Sequence, residues 1–350
     1  MPEPSPSPKR RGRLLRFGAA CTVLSAVAGY VVVQYVTGGT GDPGCRVVSD
    51  EAGGGSYEFT PEQAVNAATI AAVGTNRGMP ERAVTIALAT ALQESGLRNL
   101  THGDRDSLGL FQQRPSQGWG TEKQVTDPAY AADVFYEHLA KVSGYTDLPL
   151  TVAAQRVQRS GYPEAYAKHE SDATLLAAAL TGTSAAALTC EGRPQTTTTT
   201  TGTDAVRAAL VRDFGRDALQ EAGAEVGAEG TSSTAASPSP SASSSTDPDA
   251  PTAEADGRTV TLPVSKDTVA AGRTIRERGW QLAHWAVANA SALHIERVSY
   301  AGRVWTAGTA SAAASQWRST GATRTEAAGT SGSSGTSGTG GGSVRIVTAQ

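Results

Sequence analysis

The sequence reads as an all-α domain followed by a small α/β two-layer domain, both set behind an apolar segment of membrane-spanning length. Three observations carry this reading. Residues 57–190 are punctuated by proline-started, capped helices with short connections. Residues 191–257 lose that punctuation and run into Thr-, Ser- and Pro-rich sequence, which reads as a disordered linker. Residues 258–350 then show short alternating apolar runs around one helical stretch, broken by a Gly/Ser-rich insert at 327–342.

The 350 residues include 39 Gly and 17 Pro, and only 5% are aromatic. Much of the chain is therefore too poor in apolar surface to offset its ordering entropy. A formal net charge of −3 with no strongly basic region argues against nucleic acid as a partner. At the N-terminus, Lys9, Arg10, Arg11, Arg13 and Arg16 precede an uncharged apolar stretch at 17–37. About 20 such residues suffice to cross a hydrocarbon core as a helix. The basic cluster places residues 1–16 in the cytoplasm and everything after the segment outside, as a single-pass signal anchor in the cell membrane. A cleaved signal peptide ending near Val36-Thr37-Gly38 is the alternative.

Cys45 and Cys190 are the only cysteines beyond the apolar segment, and they bracket one helical region. A bridge between them suits an oxidising compartment; two unpaired thiols are the alternative. The bridge would close a loop of about 145 residues and contribute about 4–5 kcal/mol in the loop-entropy picture. No Cys-x-x-Cys or His/Cys cluster points to a metal, and nothing indicates an organic cofactor.

After a Gly-rich tether at 38–56, Thr60-Pro61-Glu62-Gln63 predicts a capping box with proline at the first helical position. That helix runs to about Arg77, where Gly78 stops it. A second starts at Pro80 and ends near Ser95; its crowded Val84, Ile86, Leu88 and Leu92 make it the buried central helix. A long loop, 96–127, follows. Asp127-Pro128 opens the next helix, which runs to Gly144 with Val134, Phe135, Leu139 and Val142 as its apolar stripe. Helices at 150–159, after Pro163, and at 175–180 complete the domain. A short amphipathic helix is expected at 204–214, inside the linker. In the last domain, Val260 and Leu262 mark a strand, Asp267 caps a helix to about Ala292, 295–306 forms a hairpin turning at Ala301-Gly302, and 344–347 closes the sheet.

The chemistry concentrates at the end of the second helix. Glu94 sits where a buried helix meets a long loop, and loops of this length in compact domains are commonly functional. Partial burial disfavours a carboxylate and raises its pKa, as a general acid working near neutral pH requires. Protonation of a glycosidic oxygen is such a task, for which lysozyme is the type case. Gln93-Glu94-Ser95-Gly96 followed by Ser107-Leu108-Gly109-Leu110-Phe111-Gln112-Gln113 resembles soluble lytic transglycosylases and goose-type lysozymes of the lysozyme-like superfamily. The resemblance covers residues 60–190 and extends to the Asp127-Pro128 helix start. It implies a lysozyme-like fold, Glu94 as catalytic acid, and Ser95, Gly109, Leu110 and Gln112 along the substrate cleft.

The Tyr-Asn-Ala-Gly segment of that family is replaced here by Ala153-Ala154-Gln155-Arg156-Val157-Gln158-Arg159-Ser160-Gly161, leaving Gln158, Ser160 and Tyr162 as substitutes for the sugar contact. Trp119, between two glycines, is either a stacking platform for a sugar ring or a lid anchor packed on the core. Asp104 and Asp106 are candidates for a second carboxylate, which hydrolysis needs to position water and transglycosylation does not. His102 has no nucleophile partner. The expected function is cleavage of the peptidoglycan glycan strand at the bacterial surface; the alternative is an inactive lysozyme-like domain that binds peptidoglycan or a cell-envelope partner. Protein partners are not legible.

Overall fold

Threonine and proline punctuation sets the first helices. The computed structural model describes residues 44–51, 54–160, 163–191, 202–216, 257–264, 273–308, 316–320 and 342–349, which belong to one compact unit. Helix α1 (Pro61–Asn76) opens with the expected capping box: Gln63 N–H donates to Thr60 Oγ1, and Thr60 N–H donates to Gln63 Oε1. Helix α2 (Glu81–Ser95) is buried along most of its length and stops at Gly96, whose φ of 62° permits the left-handed turn. Two side chains of α1 then secure that end, Gln63 Nε2 donating to Gly96 O and Asn66 Nδ2 to Leu97 O, each at 2.8 Å. The end of α2 is therefore pinned from behind, and Glu94 lies within its last turn.

A short helix, α3 (Glu122–Val125), occupies the loop with its own Thr121–Gln124 capping box, which the sequence reading did not separate from the loop. Helix α4 (Pro128–Ala140) starts as expected, the Asp127 carboxylate accepting from Ala129 and Tyr130 N–H, but ends four residues before Gly144. Helix α5 (Leu150–Gln158), a 3₁₀ segment (Pro163–His169) and α6 (Glu170–Thr181) complete the helical region.

This region is not purely helical. Strand β1 (Cys45–Val48) lies between β2 (Ser56–Phe59) and β3 (Leu188–Cys190) in an antiparallel sheet that takes in part of the expected tether. Strands of three or four residues are too short for a periodicity of two to register, and the register itself is fixed from afar. Cys45 pairs with Cys190 across β1 and β3, and the two are joined as a disulfide with Cα atoms 3.9 Å apart.

In the C-terminal region, β4 (Thr259–Pro263), α8 (Ile275–Ala288), β5 (Ile295–Tyr300), β6 (Arg303–Thr306), β7 (Arg318–Ser319) and β8 (Ser343–Thr348) form a wholly antiparallel sheet of order β4-β8-β5-β6-β7 with α8 packed on it. The hairpin turns at Ala301-Gly302, both with positive φ, the two-residue geometry whose twist suits paired strands. Helix α8 is capped by Thr274 and Glu277 rather than by Asp267, which lies outside the described residues.

The helical region and the sheet are not beads on a tether; they share one apolar core. Helix α7 (Thr203–Phe214), expected as a lone segment within the linker, is the mortar. Its Phe214 is buried, and its Asp213 carboxylate accepts from Thr69 Oγ1 of α1 at 3.3 Å and from Trp285 Nε1 of α8 at 2.8 Å. At Gly182 a Cβ would come within 1.9 Å of Glu277 O, so only glycine lets α6 and α8 approach this closely. A buried carboxylate is costly unless paired and hydrogen-bonded, and Asp213 takes its charge partner from Arg212 of α7 and its two further donors from α1 and α8.

His284 of α8 extends this junction. Its fully buried ring accepts from Ala187 N–H at Nε2 and donates from Nδ1 to Ala179 O. Burial pushes the imidazole down to about 4. The unfolded chain takes up this proton near the ordinary value of about 6.5, so its share of stability is complete above that pH and declines as pH falls towards 4, by at most about 1.4 kcal/mol per unit. Urea midpoints of wild type and His284→Gln between pH 4 and 7 should differ in slope, the variant lacking this part of the decline so that any wild-type advantage shrinks towards pH 4; identical slopes would refute it.

Among the described residues no helix is long and apolar enough to cross a membrane. The apolar stretch at 17–37 lies outside them, as do most of the linker and the 327–342 insert.

Candidate active site

The loop after α2 is folded back on itself by two isolated β-bridges, Leu100 to Gly109 and Leu108 to Gln113. Gly109, at φ 75°, presses so closely on Val125 O that a Cβ would lie 2.1 Å away, which locks the loop against α3. Leu110 and Phe111 enter the core, Phe111 stacking on Phe135 of α4 with ring centroids 4.6 Å apart. Gln112 then turns outward at φ 47°.

These constraints open a cleft of about 820 Å³ between the loop, the C-terminal end of α4 and the end of α5. Its wall includes Glu94, Asp104, Gln112, Trp119, His138 and Gln158. That volume lies in the range of small-molecule and oligomer-unit sites. Glu94 is partly buried and accepts a 2.7 Å hydrogen bond from Tyr166 Oη, the Tyr166 ring being itself buried. Burial raises the Glu94 pKa above the ordinary carboxyl value, and the hydrogen bonds of Tyr166 and Gln158 only partly oppose it. The Tyr166 hydroxyl is held well above its usual value by burial and by Glu94, so it stays a donor.

The expected site residues divide. Glu94, Gln112, Trp119, Gln158 and Asp104 meet in the cleft. Ser95 does not line it: the buried hydroxyl donates to Ala91 O and to Leu110 O at 2.8 Å, tying α2 to the loop. Gly109 and Leu110 form the wall behind the surface rather than the surface itself, because one is pressed on Val125 and the other is fully buried. Gln158 Nε2 donates to Phe111 O at 2.7 Å, so it braces the loop as well as facing Glu94. Asp106 is bound up elsewhere, accepting from Arg114 Nε at 2.7 Å and from Ser116 N–H at 2.8 Å, contacts that hold its carboxyl far below the ordinary range. Asp104 is the one of the two aspartates that lines the cleft. Trp119 stacks on His138, ring centroids 4.3 Å apart, which covers one face of the indole; burial also lowers the His138 pKa. Tyr162 lies outside the described residues. His102 borders an adjoining, shallower hollow with Glu122 and Lys123, which shares Arg105 and Ser107 with the cleft wall.

Sequence reasoning missed Tyr166. It lies in the 3₁₀ segment, four residues beyond the Tyr162 singled out for this region, and no local pattern distinguishes its ring as the one that turns inward. Among the described residues no group of three or more His, Cys, Asp or Glu could hold a metal.

The fold and site together define a mixed helical and sheet unit whose helical part carries a single buried acid in an open cleft. A family model described as the C-terminal domain of VldE matches residues 221–328. The matched stretch takes in β4, α8 and β5 to β7, and it includes neither Glu94 nor β8. No curated protein matches the chain.

Proposed function

We propose that this protein cleaves the β-1,4 glycan strand of peptidoglycan at the bacterial cell surface, as a lytic transglycosylase or muramidase of lysozyme-like type, held to the cytoplasmic membrane by residues 17–37. The observation that carries the reading is the Glu94 carboxyl: partly buried, raised in pKa, held by Tyr166 and open to a cleft of about 820 Å³. A carboxyl whose pKa is raised gives its proton more readily near neutral pH to a glycosidic oxygen as the C–O bond breaks. The resulting carboxylate takes a proton back, either from a hydroxyl of the same sugar, which then closes an anhydro ring, or from water. Asp104 is the side chain available to position that water.

The test is digestion of isolated sacculi by the full-length protein in detergent, with the soluble fragments read by mass spectrometry. Anhydro-muropeptides define transglycosylation; reducing ends define hydrolysis and bring Asp104 into the mechanism. Sedimentation with sacculi and no released fragment would sink the enzymatic reading and leave a glycan-binding module.

A further inference from the structure

The cleft wall is unusually cationic. Arg105, Arg156 and Arg159 line it, and no side-chain hydrogen bond or ion pair to another described residue engages any of the three guanidinium groups. The other two cations of the wall are already engaged, Arg114 by Asp106 and Lys141 by Glu137. Against the three free guanidiniums the wall sets only Asp104 and the acid Glu94. Exposed arginines are ordinarily a solvated face, but their backbone argues against indifference here. Arg159 ends α5 in the left-handed conformation at φ 52°, a place where helices favour glycine, and Arg105 turns at φ 59°. Non-glycine residues at such φ are uncommon and carry a conformational cost. Of the seven with positive φ among the described residues, three (Arg105, Gln112 and Arg159) face this one cleft.

We propose that Arg105, Arg156 and Arg159 form a specificity subsite for carboxylates borne on the glycan strand, so that the preferred substrate is a strand still carrying its acidic stem peptides. This rests on the glycan-strand reading above. Guanidinium is suited to the assignment because its planar fork pairs with a carboxylate through two parallel N–H···O bonds. Phosphate-rich polymers attached to the wall would meet the same cations, and the test separates the two sources.

The experiment is co-sedimentation of full-length Glu94→Gln protein with glycan strands, which reads binding whether or not the wild type cuts. Peptide-bearing strands should bind about tenfold more tightly than strands stripped by an amidase, an effect of the size of two charge-assisted contacts at a partly exposed site. Prior removal of phosphodiester polymers with hydrofluoric acid should leave that ratio intact. Adding Arg105→Gly and Arg159→Gly should bring it close to one. Glycine is the residue both backbones favour, so these substitutions should not lower the melting temperature. Equal binding of peptide-bearing and stripped strands, a ratio kept by the glycine variant, or a ratio abolished by hydrofluoric acid would each overturn the carboxylate subsite. Absence of cleavage by the wild type with the ratio intact would instead count against the enzymatic reading alone.

Discussion

Glu94→Gln should lower the rate of fragment release from sacculi by at least 10²- to 10⁴-fold, the range over which a positioned general acid acts, while the fold is kept. The amide has nearly the shape of the carboxyl and can still accept from Tyr166 Oη. It cannot give a proton. Stability at neutral pH should hold or rise. A carboxyl whose folded pKa is raised loses stability as pH climbs past its unfolded value, because the unfolded chain ionises first. The neutral amide has no ionised form to bury. Tyr166→Phe supplies the complementary measurement. The tyrosine hydrogen bond lowers the Glu94 pKa, so its removal should move the alkaline limb of the pH–rate profile upward. A limb that stays in place after Tyr166→Phe, or near-normal release by Glu94→Gln, would remove Glu94 from the acid role.

The largest effect on stability is expected at Trp285, far in sequence from the cleft. Its ring is buried, meets Phe214 edge-on at 5.9 Å and gives its N–H to Asp213. Truncation of a buried tryptophan to alanine costs about 3–5 kcal/mol through lost burial and the cavity left behind. Here the loss also strips a donor from a carboxylate with no access to water, whose remaining contacts are Thr69 and Arg212. Trp285→Ala should therefore fall at the upper end of that range, and Trp285→Phe well below it. Because Asp213 joins α1, α7 and α8, both variants should shift one shared urea transition, seen alike by far-ultraviolet dichroism and by tryptophan fluorescence. Two transitions, with only the later one moved by the substitution, would contradict a shared core.

The reach of the sequence can be judged residue by residue. The Thr60–Gln63 box, the Asp127-Pro128 start and the Ala301-Gly302 turn are local devices, whose chemistry is complete within four residues, and each is legible. Glu94 is legible because it terminates an apolar helix before a long loop. Tyr166 is not, since it acts on a residue 72 positions away; nor are the bracing role of Ser95, which depends on how the loop folds back to bring Leu110 O to it, and the grouping of the cleft arginines, which come from two separate segments. Helix α7 shows the same limit at the level of a whole element. Its amphipathic pattern announces a helix, but only the buried Asp213 and its distant partners reveal that the helix belongs to the core. The short strands β1 and β3 declare themselves through the cysteine pair rather than through any pattern of their own.

That pair also decides how the molecule bears force. Strand β1 is the central strand of its sheet, and Cys45 is its first residue. Tension arriving along the chain ahead of Cys45 meets the sulfur–sulfur bond before it can peel hydrogen bonds from β2 or β3. The load passes directly to Cys190, at the far side of the helical region in sequence, and so grips that region at both its ends at once. A pull on the chain ahead of Cys45 would strain a covalent loop instead of unzipping a strand.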